Sequence, residues 1–555
     1  MRRRGSLQSP LANTTQPTAP LLTRPGPGAS FLIGGALLAL LVFATYLPTL
    51  QFGFVNLDDP RYVTGNRLYA EGFTAPNLRT AWTAQLTHHD PGVEYWAPLT
   101  VLTRVADASL YGQESEAAGG HHLTNLALHA LAALLLFAAM AELSGALFPA
   151  WCVAALFAVH PVNAEVVCWL SARKDLVAGV GCFLTLWVYG RFLHGRASLF
   201  AVFLALLVGF LGKPMLVTLP FVLMLVDLWV RPPLADSVAG WMRFQLREKG
   251  LFLALAAVFC IVAMISQYNH AAISGADRFP PHHRALNFLD ASGDYLLNLL
   301  WPVDLSVFYP HPLGDTKPGD AAFGALAGLL LLAGGLALLP RAPFLFAGCA
   351  WFYGMLVPVG GLVQIGSQKM ADRYLYLPAV GIFLVAAFGL CKLSRWGRGL
   401  LLFAIAALAL VAHNQARTWE NSETLFRHAL SVAPRNFLAQ FNLATVLWQS
   451  GDPLARDEAV SLLRAAHALS PSLTARHRET APALSLASRH ALDRGDREVA
   501  EQLAQAAIRL DPGMPTARLV LIEVLAADGR VDAAAAHAAR LRARFPGIGN
   551  PGLFD

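Results

Sequence analysis

The chain has 555 residues, of which 55% are hydrophobic and only 14% charged, against about 25% charged in an ordinary soluble domain. The apolar residues come in long runs, which excludes a soluble globular enzyme. The net charge of +6 belongs to basic residues at the edges of those runs rather than to a nucleic-acid-binding surface.

Residues 1–30 are basic at the start and rich in Pro, Ser and Thr. That composition cannot bury a core, and it predicts a disordered cytoplasmic tail. The following run, 31–50, is too long for a signal peptide and close to the ~20 residues that cross a bilayer. Further apolar stretches lie at 123–141, 146–162, 175–190, 197–212, 214–230, 250–266, 321–340, 342–362, 374–391 and 399–412, which predicts about 11 spans. With the N-terminus in the cytoplasm, Arg191, Arg196, Arg231, Arg243, Arg247, Lys249, Arg341, Lys392, Arg395 and Arg398 all fall in cytoplasmic turns, as the positive-inside rule requires. The segment 285–302 carries Asp290 and Asp294 and reads as a helix on the outer surface. Two long outer loops result, 51–122 and 267–320. Six cysteines, Cys152, Cys168, Cys182, Cys260, Cys349 and Cys391, lie in or beside the apolar runs, and none forms a C-x-x-C pair. They read as small buried hydrophobes.

From Trp419 onward the apolar runs stop and helical periodicity takes over. Prolines recur at 434, 471, 512 and 546 after similar helix endings, near the 34-residue tetratricopeptide period. Such repeats stack into an α-solenoid whose groove holds an extended peptide. The expected domains are the tail 1–30, a transmembrane domain 31–412 and a repeat domain 413–555 on the outer side.

Chemistry-bearing residues crowd the outer ends of the spans. Asp58 and Asp59 follow the first span. Tyr95 and Trp96 lie in the first loop, and His121, His122, Asn125 and His129 open the second span. His160 and Glu165 follow the third, with Arg173 and Lys174 close behind. Lys213, Lys369, Asp372 and Arg373 complete the set. Ionisable groups at such depths are expensive and usually functional. Close carboxylates near lipid provide a base, and Arg173, Lys174, Lys213, Lys369 and Arg373 are suited to a phosphate. Asp58, Asp59, His121 and His122 are the candidate ligands for a divalent metal.

Seven motifs in order resemble the membrane O-mannosyltransferases that join a multi-span domain to tetratricopeptide repeats, within the GT-C class of polyprenyl-phosphate-sugar-dependent glycosyltransferases. They are Phe54-Val55-x-x-Asp58-Asp59, Tyr95-x-x-Pro98-Leu99-Thr100, His122-Leu123-x-Asn125-x-x-x-His129, His160-Pro161-x-x-x-Glu165, Arg173-Lys174-Asp175-Leu176, Gly212-Lys213-Pro214 and Asp372-Arg373-Tyr374-Leu375-Tyr376-Leu377-Pro378. One position departs, since Ala97 stands where many relatives carry Arg. The resemblance implies an all-α, GT-C-like membrane bundle followed by a solenoid. It implies transfer of a sugar, a hexose such as mannose, from a polyprenyl-phosphate lipid to a Ser or Thr hydroxyl, with inversion. Asp58 would be the general base and Asp59 would orient the acceptor or help bind a metal. The five basic residues would hold the donor phosphate. Tyr95, Trp96, His122, Asn125, His160, Glu165 and Asp372 would line the acceptor and sugar site. No cofactor other than a divalent metal is expected. The partners would be the lipid donor and a protein acceptor held by the repeats, in a bacterial inner membrane with the repeats in the periplasm. The rival readings are a membrane-anchored repeat scaffold and a lipid-linked sugar flippase.

Overall fold

Runs of apolar residues with no polar face satisfy their backbone groups in lipid only as helices, and every apolar stretch read from the sequence is helical. A computed structural model describes residues 28–87, 93, 95–231, 237–269, 279–312, 316–364, 366–469 and 481–545. The expected tail lies outside these residues up to position 27, and its last residues already belong to the first helix.

The membrane bundle comprises α1 (Ala29–Tyr46), α5 (Ala118–Ser144), α6 (Leu147–Val159), α8 (Arg173–Leu193), α9 (Leu199–Gly212), α10 (Leu219–Val230), α11 (Val238–Asn269), α13 (Pro318–Ala337), α14 (Pro343–Leu356), α15 (Ala379–Leu393) and α16 (Arg395–Arg417). Short helices α2 (Arg67–Ala70), α3 (Ala75–Thr83) and α4 (Pro98–Tyr111) follow α1, α7 (Ala164–Cys168) follows α6, and α12 (Pro281–Leu300) follows α11. Six helical segments among the described residues are long and apolar enough to cross a membrane, and a bent pair makes a seventh. The bend, 52°, falls at His160-Pro161. Proline offers no N–H to the helix and drives the preceding residue out of the helical region; His160 has ψ 130°. The expected span 146–162 therefore breaks at its end, and Pro161–Cys168 turns aside. Cys260 also departs from expectation: it is exposed on α11.

The connections gather at two ends of the bundle. At one, Glu142 pairs with Arg196, Lys392 donates to the Arg341 carbonyl, and the Arg398 guanidinium covers the Phe148 ring. Asp227, at the end of α10, accepts hydrogen bonds from Tyr189 at 2.5 Å, Gln245 at 2.9 Å and Lys249 at 2.5 Å. The basic turns thus lie together. At the other end lie the loops with the expected site residues. Here α12 packs on α13 with Gly293 against Gly324: Phe279 before it meets His311, Asn287 donates to the Lys369 carbonyl, and Asn298 reaches Asp372. Strand β1 (Tyr309–Pro310) pairs antiparallel with β2 (Gln368–Met370) beside it.

The repeat region follows as α17 (Ser422–Val432), α18 (Phe437–Gln449), α19 (Pro453–Leu469), α20 (Ala481–Asp493), α21 (Arg497–Leu510), α22 (Pro515–Ala527) and α23 (Val531–Arg544). Gly451, Gly495 and Gly529 close the turns of three helical hairpins with φ of 80°, 83° and 74°, a conformation costly for residues with a Cβ. Pro434 ends α17 and Pro512 ends α21; Pro471 and Pro546 lie outside the described residues. The first repeat is seated on the bundle. Asn436 caps α18 and also donates to the Phe308 carbonyl at 2.8 Å, while His428 meets the Leu305 carbonyl at 2.9 Å.

Helices α14 and α15 cross at two glycines. A Cβ at Gly381 would sit 2.2 Å from the Gly348 carbonyl oxygen, whereas one at Gly389 on the same helix meets nothing within 4 Å. Gly381→Leu is expected to force the helices apart, at a cost of about 1–3 kcal/mol or more, and Gly389→Leu to be tolerated. Melting temperature and monodispersity in detergent distinguish the two.

Candidate functional site

The acidic turn follows α1 after the short helical turn Leu47–Gln51. Asp59 is buried, and both its oxygens are occupied: Oδ2 accepts from the Val55 N–H at 3.0 Å and Oδ1 from the Ser171 hydroxyl at 2.8 Å. Ser171 sits just before α8, and its carbonyl accepts from Arg104 of α4 at 2.8 Å. Burial pushes the Asp59 carboxyl up to about 6, although the hydrogen bonds from Val55 and Ser171 pull it down. Asp58, its neighbour, is only half-buried. One carboxylate is therefore held inside the protein and the other stands nearer the surface.

Behind Ser171 lies a buried charged cluster. Arg173 lies 2.6 Å from Asp107 of α4, donates to Asn125 Oδ1 at 2.5 Å and to the His121 carbonyl at 2.9 Å. Thr124 donates to Asp107 at 2.8 Å, and His121 Nδ1 lies 3.5 Å from it. A second group surrounds Trp169. The Lys174 ammonium lies 5.8 Å from the Trp169 ring and 5.5 Å from that of Tyr95, and the Arg373 guanidinium lies 5.3 Å from Trp169. Arg373 pairs with Glu165 at 2.5 Å. Asp372 accepts from Tyr309 at 3.0 Å and Asn298 at 3.3 Å; burial, and then the charge of Glu165, holds its carboxyl well above the usual range. Glu165, Asp372, Ser306, Gln415 and Trp419 line a narrow cleft between the bundle and the repeats.

The repeat region closes on this end. Trp419 stacks on Trp169 with ring centres 6.2 Å apart. The Asn56 N–H donates to the Ser422 hydroxyl at 2.7 Å, and the Gly53 N–H to the Glu420 carbonyl at 3.1 Å. The segment leading into the acidic pair is thus tied to the start of the repeats.

The geometry gives the remaining candidates their partners. Among the described residues Arg173 pairs with Asp107, Lys213 with Asp175, Lys369 with Asp290 and Asp294, and Arg373 with Glu165. Each of these charges is held against a carboxylate, as burial of charge requires. Trp96 is a packing residue. Its backbone N–H donates to Ser266, its indole to the Trp82 carbonyl, and its ring lies on Phe259. His160 is bound to the Leu299 carbonyl at 3.0 Å, and His122 lies against Phe52. His121 faces Asp107 rather than Asp59, and among the described residues no three His, Cys, Asp or Glu side chains converge as metal ligands. No step below uses a divalent metal. Ser171, Arg104, Asp107 and Tyr309 escaped the sequence reading, and Trp419 entered it only as the start of the repeats. Arg104 and Asp107, one turn apart in a mostly apolar stretch, were the available signal.

Residues 486–547 match the Tetratricopeptide repeat family. Protein O-mannosyl-transferase Tmtc1 of Drosophila melanogaster is 27% identical over 78% of this chain and 62% of its own length. The homologues of this chain are TMTC-type protein O-mannosyl-transferases. Tmtc2 of Drosophila melanogaster is 31% identical over 43% of the chain and 26% of its own length, and TMTC4 of Mus musculus 25% over 67% and 58%. The chain thus spans about three-fifths or less of these relatives. The solved oligosaccharyltransferase of Archaeoglobus fulgidus, tethered with an acceptor peptide, covers 78% of the chain and is itself covered to 59%, at 13% identity and a TM-score of 0.40, a likeness too distant to carry an argument. The apolar helices and these homologues mark a multi-pass membrane protein.

The Arg373–Glu165 pair gives a direct test of its structural role. Truncating either partner alone strands a charge in a buried site, which costs about 3–5 kcal/mol. Arg373→Leu and Glu165→Leu are each expected to lower the melting temperature sharply, and the double variant to recover most of the loss. A thermodynamic cycle from melts in detergent checks this.

Proposed function

We propose that this protein is a membrane glycosyltransferase that moves a hexose such as mannose from a polyprenyl-phosphate lipid to a Ser or Thr hydroxyl of a protein held by the repeats. The observation that carries the reading is the seating of the Asp58-Asp59 turn. It is fixed to the bundle through Ser171 and tied to the first repeat through Asn56 and Ser422. A lipid substrate approaches from the bundle and a protein substrate from the repeats, and the acidic pair lies between the two. The names of the homologues support the same activity.

In the proposed reaction the acceptor oxygen attacks the anomeric carbon and its proton passes to Asp58. The bond from that carbon to the phosphate oxygen breaks, and the phosphate leaves with the electron pair from the opposite face, which inverts the configuration. Asp59 is a positioning residue: its hydrogen bonds to Val55 and Ser171 hold the turn that presents Asp58. Lys174 and Arg373, which share the Trp169 ring, are the cations assigned to the leaving phosphate. The basic turns at the far end lie in the cytoplasm by the positive-inside rule, and the repeats on the opposite side, the periplasm of a bacterial cell.

Transfer from a polyprenyl-phosphate sugar to a Ser/Thr peptide library, by membranes with matched expression, tests this. Asp58→Asn is expected to lose about 100- to 10,000-fold in rate. Equal rates for wild type and variant would remove Asp58 from the role of base. Asp59 is protonated below its pKa of about 6 and ionised above it. Because the ionised form accepts both hydrogen bonds, the wild-type rate is expected to fall as pH drops through about 6. Ser171→Ala removes a bond that stabilises the ionised form and is expected to move that limb to higher pH. Asp59→Asn is expected to abolish the limb while keeping part of the activity.

A further inference from the structure

The first long loop holds a compact unit of its own. Tyr69, Ala81, Ala84, Val93, Val101 and Val105 form a small separate core. Asn77 fastens α2 to α3 by donating to the carbonyls of Leu68 at 2.8 Å and Gly72 at 2.9 Å. A unit so well tied still turns large apolar side chains outward: Phe73 is 56% exposed, Trp82 46% and Leu78 39%. Leu78 and Trp82 are four residues apart on α3, hence on one face, with exposed Arg79 beside them.

The position of this face identifies its neighbour. Trp82 meets the Trp96 ring at 6.4 Å, and Trp96 is bolted to α11 through Ser266 and Phe259. Helix α11 is long and apolar enough to cross a membrane, and in the same turns it exposes Val258, Ile261, Met264 and Ile265. The apolar face of α3 therefore lies at the same height as the lipid-facing turns of α11, at the end where that helix leaves the bundle. Aromatic side chains flanked by Arg favour the headgroup boundary, where the ring stays apolar-side and the charge stays wet.

We infer that the Phe73, Leu78 and Trp82 face of the first loop is a membrane-surface anchor that lies in the headgroup–acyl boundary of the phospholipid bilayer. It lies level with the lipid-facing turns of α11 and holds the loop that begins with the acidic pair at the height of lipid headgroups. The inference concerns the loop's placement and stands without the proposed reaction.

The full chain in phosphatidylcholine nanodiscs tests it. In a background with Cys260 and Cys391 replaced by Ser, Leu78→Cys carries an environment-sensitive fluorophore, and Trp82→Cys serves as a second site should the first variant fold poorly. Cys260 labelled in the Cys391→Ser chain marks the lipid side, and labelled Leu454→Cys, on the exposed face of α19, marks water. Brominated phosphatidylcholine is expected to dim the labels at 78 and 82 as it dims Cys260, with protection from iodide. Labels quenched by iodide and indifferent to brominated lipid, as at 454, would overturn the anchor. Labels shielded from both quenchers would overturn it too, and would assign the face to a protein partner or a second copy of the chain.

Discussion

Charge that enters a low-dielectric bundle has to be neutralised where it lies, and the functional end of this protein is organised by that requirement. An unpaired buried ion costs several kcal/mol, and only a close partner with further hydrogen bonds offsets it. Arg173 meets the condition with Asp107, Asn125 and the His121 carbonyl, which joins α4, α5 and α8. Arg373 meets it with Glu165, and Lys369 with Asp290 and Asp294. Each pair crosses between elements distant in the chain. The loops are thereby held in one register, and the acidic turn inherits its place through Ser171 and Arg104.

Two carboxylates that are neighbours in the chain are separated by this frame. Asp59 turns inward and spends its oxygens on Val55 and Ser171. Asp58 stays nearer the surface. The difference of environment follows from backbone direction in the turn after α1 rather than from residue type. The repeats add a second constraint. With Trp419 on Trp169 and Ser422 on Asn56, the solenoid starts against the turn and cannot shift without disturbing it.

The membrane helices, the repeat hairpins and the crowding of ionisable groups at one end were legible in the residues. Apolar runs and basic turns are local signals, and solenoid turns repeat at a fixed interval. The break at His160-Pro161 was legible too, since proline acts on its own backbone. The counter-charges of the basic residues were not, and neither was the packing of Trp96. Both depend on contacts between helices far apart in sequence.

The amino-acid sequence by itself determined that this chain enters the membrane repeatedly, ends in tetratricopeptide repeats and carries an acidic pair at the exit of its first helix. Those features arise from periodicity and transfer free energy, which act over a few turns of chain. Only the tertiary structure decided which charges neutralise one another, which aspartate is buried and which residues the repeats touch. A side chain's partner is set by which helix faces meet, and burial makes that meeting decisive by stripping away the water that would otherwise serve any charge equally.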